Sequence, residues 1–227
     1  MEPIKNIISK SQNASDNESI PQTWRRQSFP ISEWNDLKFD LIDMVKENFF
    51  QANGKVILND EDKSNLKVIF NWLIGNEIDL SLNKGLMFTG NWGTGKSIFI
   101  KGIILFINKY YSIDILQNGI SNPVYMLAQD MANLFKEDNV NEINKMKSTS
   151  IMAIDDLGYE PVEVNHFGTK CHPFEEVLMS RYDRKKTILL TTNLSLDQIG
   201  ERYGWHIYDR LKQMTYILEF TGKSKRV

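Results

Sequence analysis

Eight consecutive residues, Gly90-Asn91-Trp92-Gly93-Thr94-Gly95-Lys96-Ser97, have the types and spacing needed to hold a phosphate chain. A glycine, four residues of any type and then Gly-Lys-Ser make a loop whose backbone N–H groups can close around an anion. Gly85-Leu86-Met87-Phe88-Thr89 ahead of it reads as a buried strand and the apolar run behind it as a helix, so the context fits as well as the pattern. The positive end of that helix would point at the same phosphates, Lys96 would bring a mobile cation and Ser97 a hydroxyl for Mg²⁺. The candidate nucleotide contacts are therefore Gly90, Asn91, Trp92, Gly93, Thr94, Gly95, Lys96, Ser97 and Ile98. The plain alternative is a glycine-rich turn between a strand and a helix.

A second stretch supplies what such a loop needs. Ile151-Met152-Ala153-Ile154 reads as a strand buried on both faces, and Asp155-Asp156 emerge at its C-terminal end, where open parallel sheets bind ligands. A strand of this kind after a phosphate loop is the Walker B pattern. Asp155 would hold Mg²⁺ through water, and Asp156 would orient or deprotonate the water that attacks the γ-phosphate. Two acids capping a turn at a strand end are the alternative. Thr187-Ile188-Leu189-Leu190-Thr191-Thr192-Asn193 reads as a further buried strand, with Asn193 at its tip in reach of a phosphate or of the attacking water.

The elements that must position these groups follow from periodicity. Trp34, Leu37, Leu41, Met44, Val45 and Phe49 recur at helical spacing, with Ser32 as the expected N-cap and Gly54 as the stop. A second helix should run from Asn59 or Asp60 to Gly75, with Leu66, Ile69, Phe70 and Leu73 on one face. Phe49, Phe50 and Val56 are candidates for contact with a nucleotide base. Beyond the loop the pattern predicts a helix over 97–108, a strand over 124–127, a helix from Gln129 or Asp130, and an exposed helix or loop over 137–147. After the Asp155-Asp156 strand come a helix over 174–184, the Asn193 strand, a short helix over 196–203 capped by Ser195, a helix carrying Asp209-Arg210, and a last strand over 216–220. This alternation gives five strands in an α/β sandwich.

With 227 residues, one nucleotide-binding domain and an N-terminal extension are expected, divided near residue 35. A net charge of -2 carries no global signal for nucleic acid, so any such contact would need a local patch. The single cysteine, Cys171, excludes an internal disulfide and suits a reducing cytoplasm. The longest apolar run, Ile98 to Ile107, is broken by Lys101 and too short for a bilayer, and the start of the chain lacks the apolar core of a signal peptide. A cytoplasmic protein with no membrane role is the expectation.

As a set, Gly90 to Ser97, Ile154-Asp155-Asp156-Leu157-Gly158-Tyr159-Glu160-Pro161, Thr191-Thr192-Asn193-Leu194 and Tyr203-Gly204 with Asp209-Arg210-Leu211 resemble the AAA+ ATPases of the DnaC/IstB group. The resemblance covers roughly residues 40 to 227. It implies a P-loop NTPase three-layer αβα sandwich on a five-stranded parallel sheet, an AAA+ core without a separate helical lid. It also implies ATP and Mg²⁺ as ligands, Lys96 and Ser97 as Walker A contacts, Asp155 and Asp156 as the Walker B pair, and Asn193 as a sensor. Arg210 would be an arginine finger acting on a neighbour's nucleotide, so the ATP-bound protein should be a homo-oligomer. Arg226, near the chain end, matches a second sensing arginine. Where many relatives carry an arginine after Tyr-Gly, this chain has Trp205-His206, so no role of that arginine transfers. The implied function is a DNA-replication helicase loader acting with single-stranded DNA and a replicative helicase. An IstB-like transposition helper partnered by a transposase, or a nucleotide-dependent scaffold without hydrolysis, are the alternatives.

Three smaller features remain. Trp24, Phe29 and Trp34, with Arg25 and Arg26, interrupt a polar N-terminal stretch and read either as a docking peptide or as rings packed back on the domain. Lys101, Lys109, Tyr110 and Tyr111 combine charge and rings as single-strand binders do, although a solvated helix end has the same look. His166, Cys171 and His172 lie close together but fit no zinc spacing, and a loop at a subunit boundary is the better reading.

Overall fold

The computed structural model describes residues 29–53, 58–75, 84–111, 122–166 and 168–225. Its centre is a parallel sheet in the order β2-β3-β6-β1-β7, formed by β2 (Val124–Leu127), β3 (Ile151–Leu157), β6 (Thr187–Thr192), β1 (Gly85–Gly90) and β7 (Thr215–Phe220). Side chains alternate between the two faces along each strand, and both faces are covered. Leu86, Phe88, Ala153, Leu189 and Phe220 enter one core, and Met87, Met152, Ile154, Ile188 and Leu190 the other.

The first core lies beneath α1 (Trp34–Asn53), α2 (Asp60–Ile74) and α3 (Lys96–Tyr110), through Leu41, Val45, Leu66, Phe99 and Ile103. The second lies beneath α4 (Ala128–Lys136), α5 (Val140–Ser148), α6 (Pro173–Asp183), α7 (Leu196–Tyr203) and α8 (Trp205–Met214). Three layers result, as the sequence implied. Because β1 is bordered by β6 and β7 while the chain crosses from β1 to the distant edge strand β2, the C-terminal strand ends beside β1 are where a sheet of this order binds ligands.

Local signals explain where the helices begin. Asn59 accepts from the Asp62 backbone N–H and Asp62 accepts from that of Asn59, and Ser195 and Gln198 make the same reciprocal pair at α7. Gly75, in the left-handed region, ends α2. Ser32 is not a cap: a 3₁₀ turn, Ile31–Glu33, follows Pro30 and α1 starts at Trp34. The 137–147 stretch is helical from Val140 and not wholly exposed, since Ile143 and Met146 are buried. The stretch around His166 is a β-hairpin rather than a loop, β4 (Val164–His166) against β5 (Thr169–Cys171). Among the described residues no helix is long and apolar enough to cross a membrane, and none follows β7.

Candidate nucleotide site

The phosphate loop leaves β1 at Gly90 and enters α3 at Lys96. Gly90 and Gly93 both have positive φ, 120° and 73°. A Cβ on Gly90 would strike the Phe220 carbonyl, and one on Gly93 would strike Ser224, so the loop lies against the end of β7 and the tail behind it. Two backbone hydrogen bonds fasten that contact, from the Asn91 N–H to the Phe220 carbonyl at 3.2 Å and from the Lys225 N–H to the Gly93 carbonyl at 2.8 Å. Thr94 donates its hydroxyl to the Asn91 carbonyl at 2.9 Å, and the Ile98 N–H closes the first helical turn onto Gly95. Ser97 is the second residue of α3, at the end of the helix that faces the loop.

Lys96 is 6% exposed and folds back into the loop. Its ammonium donates to the carbonyls of Gly90 at 2.8 Å and Asn91 at 2.7 Å, and to Asn193 Oδ1 at 2.7 Å. Two predicted residues almost a hundred positions apart thus share one hydrogen bond. It is possible because β6 lies directly beside β1, which puts the tip of one strand next to the loop of the other.

Asp155 is 2% exposed at the end of β3. Its Oδ2 accepts from the Tyr125 hydroxyl at 2.6 Å and its Oδ1 from the Thr191 hydroxyl. Burial, together with the neighbouring carboxylate, pushes the Tyr125 phenol far above its ordinary range, so the hydroxyl stays a donor. The β3–β6 register shifts between Ile154 and Leu157, and Asp156 takes a left-handed φ of 58° with its N–H donating to Thr191 Oγ1 at 2.8 Å. A non-glycine residue in that region is strained, and such strain collects at functional sites. Thr191 therefore ties both carboxylate residues to the strand that carries Asn193.

Behind the carboxylates, buried Glu160 accepts from the Gly158 N–H at 2.8 Å and from the Tyr203 hydroxyl, while Arg202 donates to the Glu160 carbonyl. This fixes the turn after β3 to α7. At the mouth, Trp92 and Tyr159 meet edge to face with centroids 5.1 Å apart, Trp92 being 60% exposed, and the Tyr159 hydroxyl lies 3.4 Å from Asn193 Nδ2. Glu160, Tyr125 and Thr191 carried no assignment from the sequence. Glu160 and Thr191 lay inside the stretches that carried the resemblance but had no role there, and Tyr125 lies in no motif.

Other expectations divide. Arg210 is half-buried on α8, its guanidinium carbon 4.3 Å from the centroid of the Tyr182 ring on α6. Arg226, Trp24 and Val56 lie outside the described residues, as do the side chains of Phe49 and Phe50. Phe29 meets the rings of Tyr110 and Tyr111 edge-on, and the Trp34 indole donates to the Phe29 carbonyl, so these two rings pack back on the domain. The basic and aromatic cluster does not assemble into one surface. Tyr111 is buried with its hydroxyl on the Leu73 carbonyl, Lys109 and Tyr110 both bind Asp40, and Lys101 lies over the Tyr125 ring. Cys171 donates to the Val164 carbonyl across the hairpin.

Among the solved structures that this chain resembles, three show likenesses of similar strength. The DnaC helicase loader matches at a TM-score of 0.54 and 20% identity, over 72% of this chain and 92% of that one. DnaI matches at 0.55 and 18%, over 75% and 87%. A protein assigned as a primosome component of Streptococcus pyogenes serotype M3 matches at 0.56 and 17%, over 74% and 84%. The chain shares the fold of these three proteins. No protein-family model matches the sequence, and no curated protein matches it. The likeness thus lies in how the chain folds, and the chemistry must be argued from its own side chains.

Proposed function

We propose that this chain is a Mg²⁺-dependent ATPase of the helicase-loader kind, which binds and hydrolyses ATP and, through that cycle, assists a replicative helicase on single-stranded DNA. The observation that carries the nucleotide reading is the bond from Lys96 to Asn193, with the carboxylate pair tied through Thr191 to the same strand. A loop lysine, a strand-tip amide and two acids are thus linked through β6, an arrangement that suits phosphoryl transfer. The loop glycines present N–H groups to the phosphates, and Lys96 would turn from the loop carbonyls toward them.

The donor set suits a hard cation: the Asp155 carboxylate and the Ser97 hydroxyl offer oxygen only, as Mg²⁺ prefers. Bound there, Mg²⁺ would neutralise charge on the phosphate oxygens as it develops. Asp155 would orient the hydration shell, and Asp156, the more accessible acid, would take up a proton from the attacking water or align it. Asn193 would hold that water or the γ-phosphate. The helicase half of the proposal rests on the fold shared with the DnaC helicase loader and DnaI, and single-stranded DNA enters from the resemblance of the sequence motifs, without the Lys101 to Tyr111 cluster.

Phosphate release with and without Mg²⁺, run beside co-purification with the replicative helicase of the same cell, tests both halves. ATP-dependent association together with Mg²⁺-dependent release is the expected result. Hydrolysis with no helicase retained, or a transposase retained instead, would remove the loader assignment and leave the ATPase. Anisotropy of a labelled single strand at low salt, with ATP present, checks the DNA component.

A further inference from the structure

The hydroxyl of Tyr125 calls for an explanation that packing does not supply. Tyr125 lies on the edge strand β2, in register with Ala153, and its ring is partly buried against the first core with Lys101 across its face. A phenylalanine would fill that space equally well. The added hydroxyl must be desolvated, which is unfavourable unless it finds a partner, and the partner it finds is Asp155 Oδ2 at 2.6 Å. Leu127 is the residue in register with Asp155, so the phenol reaches forward along the strand to get there.

We propose that Tyr125 is a positioning residue for the metal-facing carboxylate, its hydroxyl and that of Thr191 holding the two oxygens of Asp155 from the strands on either side. This rests on the Mg²⁺·ATP reading of the site. A carboxylate has about four lone-pair directions. Two are taken by the hydroxyls, one on each oxygen, which leaves one on each oxygen for metal-bound water and fixes where it points. Such outer partners set ligand orientation, and their loss typically weakens metal affinity by about 10- to 100-fold.

The test compares the parent with Tyr125→Phe, full chains throughout, by the affinity for a fluorescent ATP analogue in EDTA and in saturating Mg²⁺. The proposal expects unchanged affinity in EDTA, an unchanged melting temperature, and a gain on adding Mg²⁺ that is smaller than the parent's by about tenfold. Thr191→Val should reduce the same gain, and Thr191→Ser, which keeps the hydroxyl, should restore it. An equal gain in parent and Tyr125→Phe overturns the proposal, as does a loss of the same size in EDTA, which would make the residue a packing element. Should Tyr125→Phe fail to fold, the Thr191→Val and Thr191→Ser pair decides by the same criterion. A parent whose affinity does not change with Mg²⁺ would instead sink the underlying metal reading, an outcome distinct from the others.

Discussion

The ammonium of Lys96 is held by two carbonyls of its own loop and by Asn193. A phosphate in the loop would exchange these neutral oxygens for charged ones. Charge-assisted hydrogen bonds of this kind contribute about 1.5–3 kcal/mol each. Lys96→Ala should thus weaken ATP binding by at least about 100-fold, measured by calorimetry, and unchanged affinity would end the phosphate-loop assignment. The two acids would have separable duties. Asp155 is buried and bonded on both oxygens, while Asp156 is more accessible and held at a strained backbone angle. Asp156→Asn should keep ATP affinity within about threefold and slow turnover by about 10²–10⁴, the usual contribution of a positioned acid or base. Phosphate release from Asp156→Asn at the parental rate would assign that role elsewhere.

At the scale of elements, the strands that deliver these side chains are anchored at their other ends by one buried arginine. Arg181 on α6 is 0% exposed and donates to the carbonyls of Met146, Thr149, Ser150 and Thr187, at the end of α5 and the starts of β3 and β6. Burial lowers its guanidinium to about 9, still protonated at neutral pH. Arg181→Met would strand those carbonyls away from water, so urea denaturation should show a loss of about 3–5 kcal/mol. Arg181→Lys should recover little, because an ammonium cannot span the same fork of acceptors. A loss under about 1 kcal/mol for Arg181→Met would mean that water replaces the arginine there. Nothing in the sequence pointed to Arg181, whose charge on a helix that also carries Glu175, Glu176 and Asp183 has the look of a solvated face. Periodic and motif signals were legible: the β1 and β3 runs, the Ser195 cap and the Gly75 stop all reappear in the structure. What could not be read were groups meeting across the sheet. Tyr125 and Asp155, or Glu160 and Tyr203, become neighbours only once strand order is fixed, and local spacing holds no record of that order. The same blindness produced the false cluster at the end of α3, where Tyr110 and Tyr111, adjacent in sequence, have quite different surroundings: one binds Asp40 and the other is wholly buried.

For the whole molecule, the open question is whether one chain suffices. In the proposed site, Lys96, Asn193 and the carboxylate pair would supply ground-state contacts and a means to handle water, but the described contact of Arg210 lies with Tyr182 on α6. Among the described residues the half-buried guanidinium stacks on a ring, and its planar fork of donors suits a phosphate brought by another copy. We infer that catalysis is shared, with Arg210 of one subunit completing the site of the next, as the resemblance implied. An arginine supplied in this way typically contributes about 10³–10⁵ to turnover. Specific activity should therefore rise with protein concentration, and Arg210→Ala should bind ATP as the parent does while losing turnover. Mixing Arg210→Ala with Lys96→Ala is the sharper measurement. The first keeps an intact phosphate loop and the second an intact arginine, so where they meet in the right order a complete site forms and part of the activity should return. If subunits exchange and the mixture remains as inactive as its components, or if dilute monomer hydrolyses ATP at the full rate, Arg210 does not act across an interface.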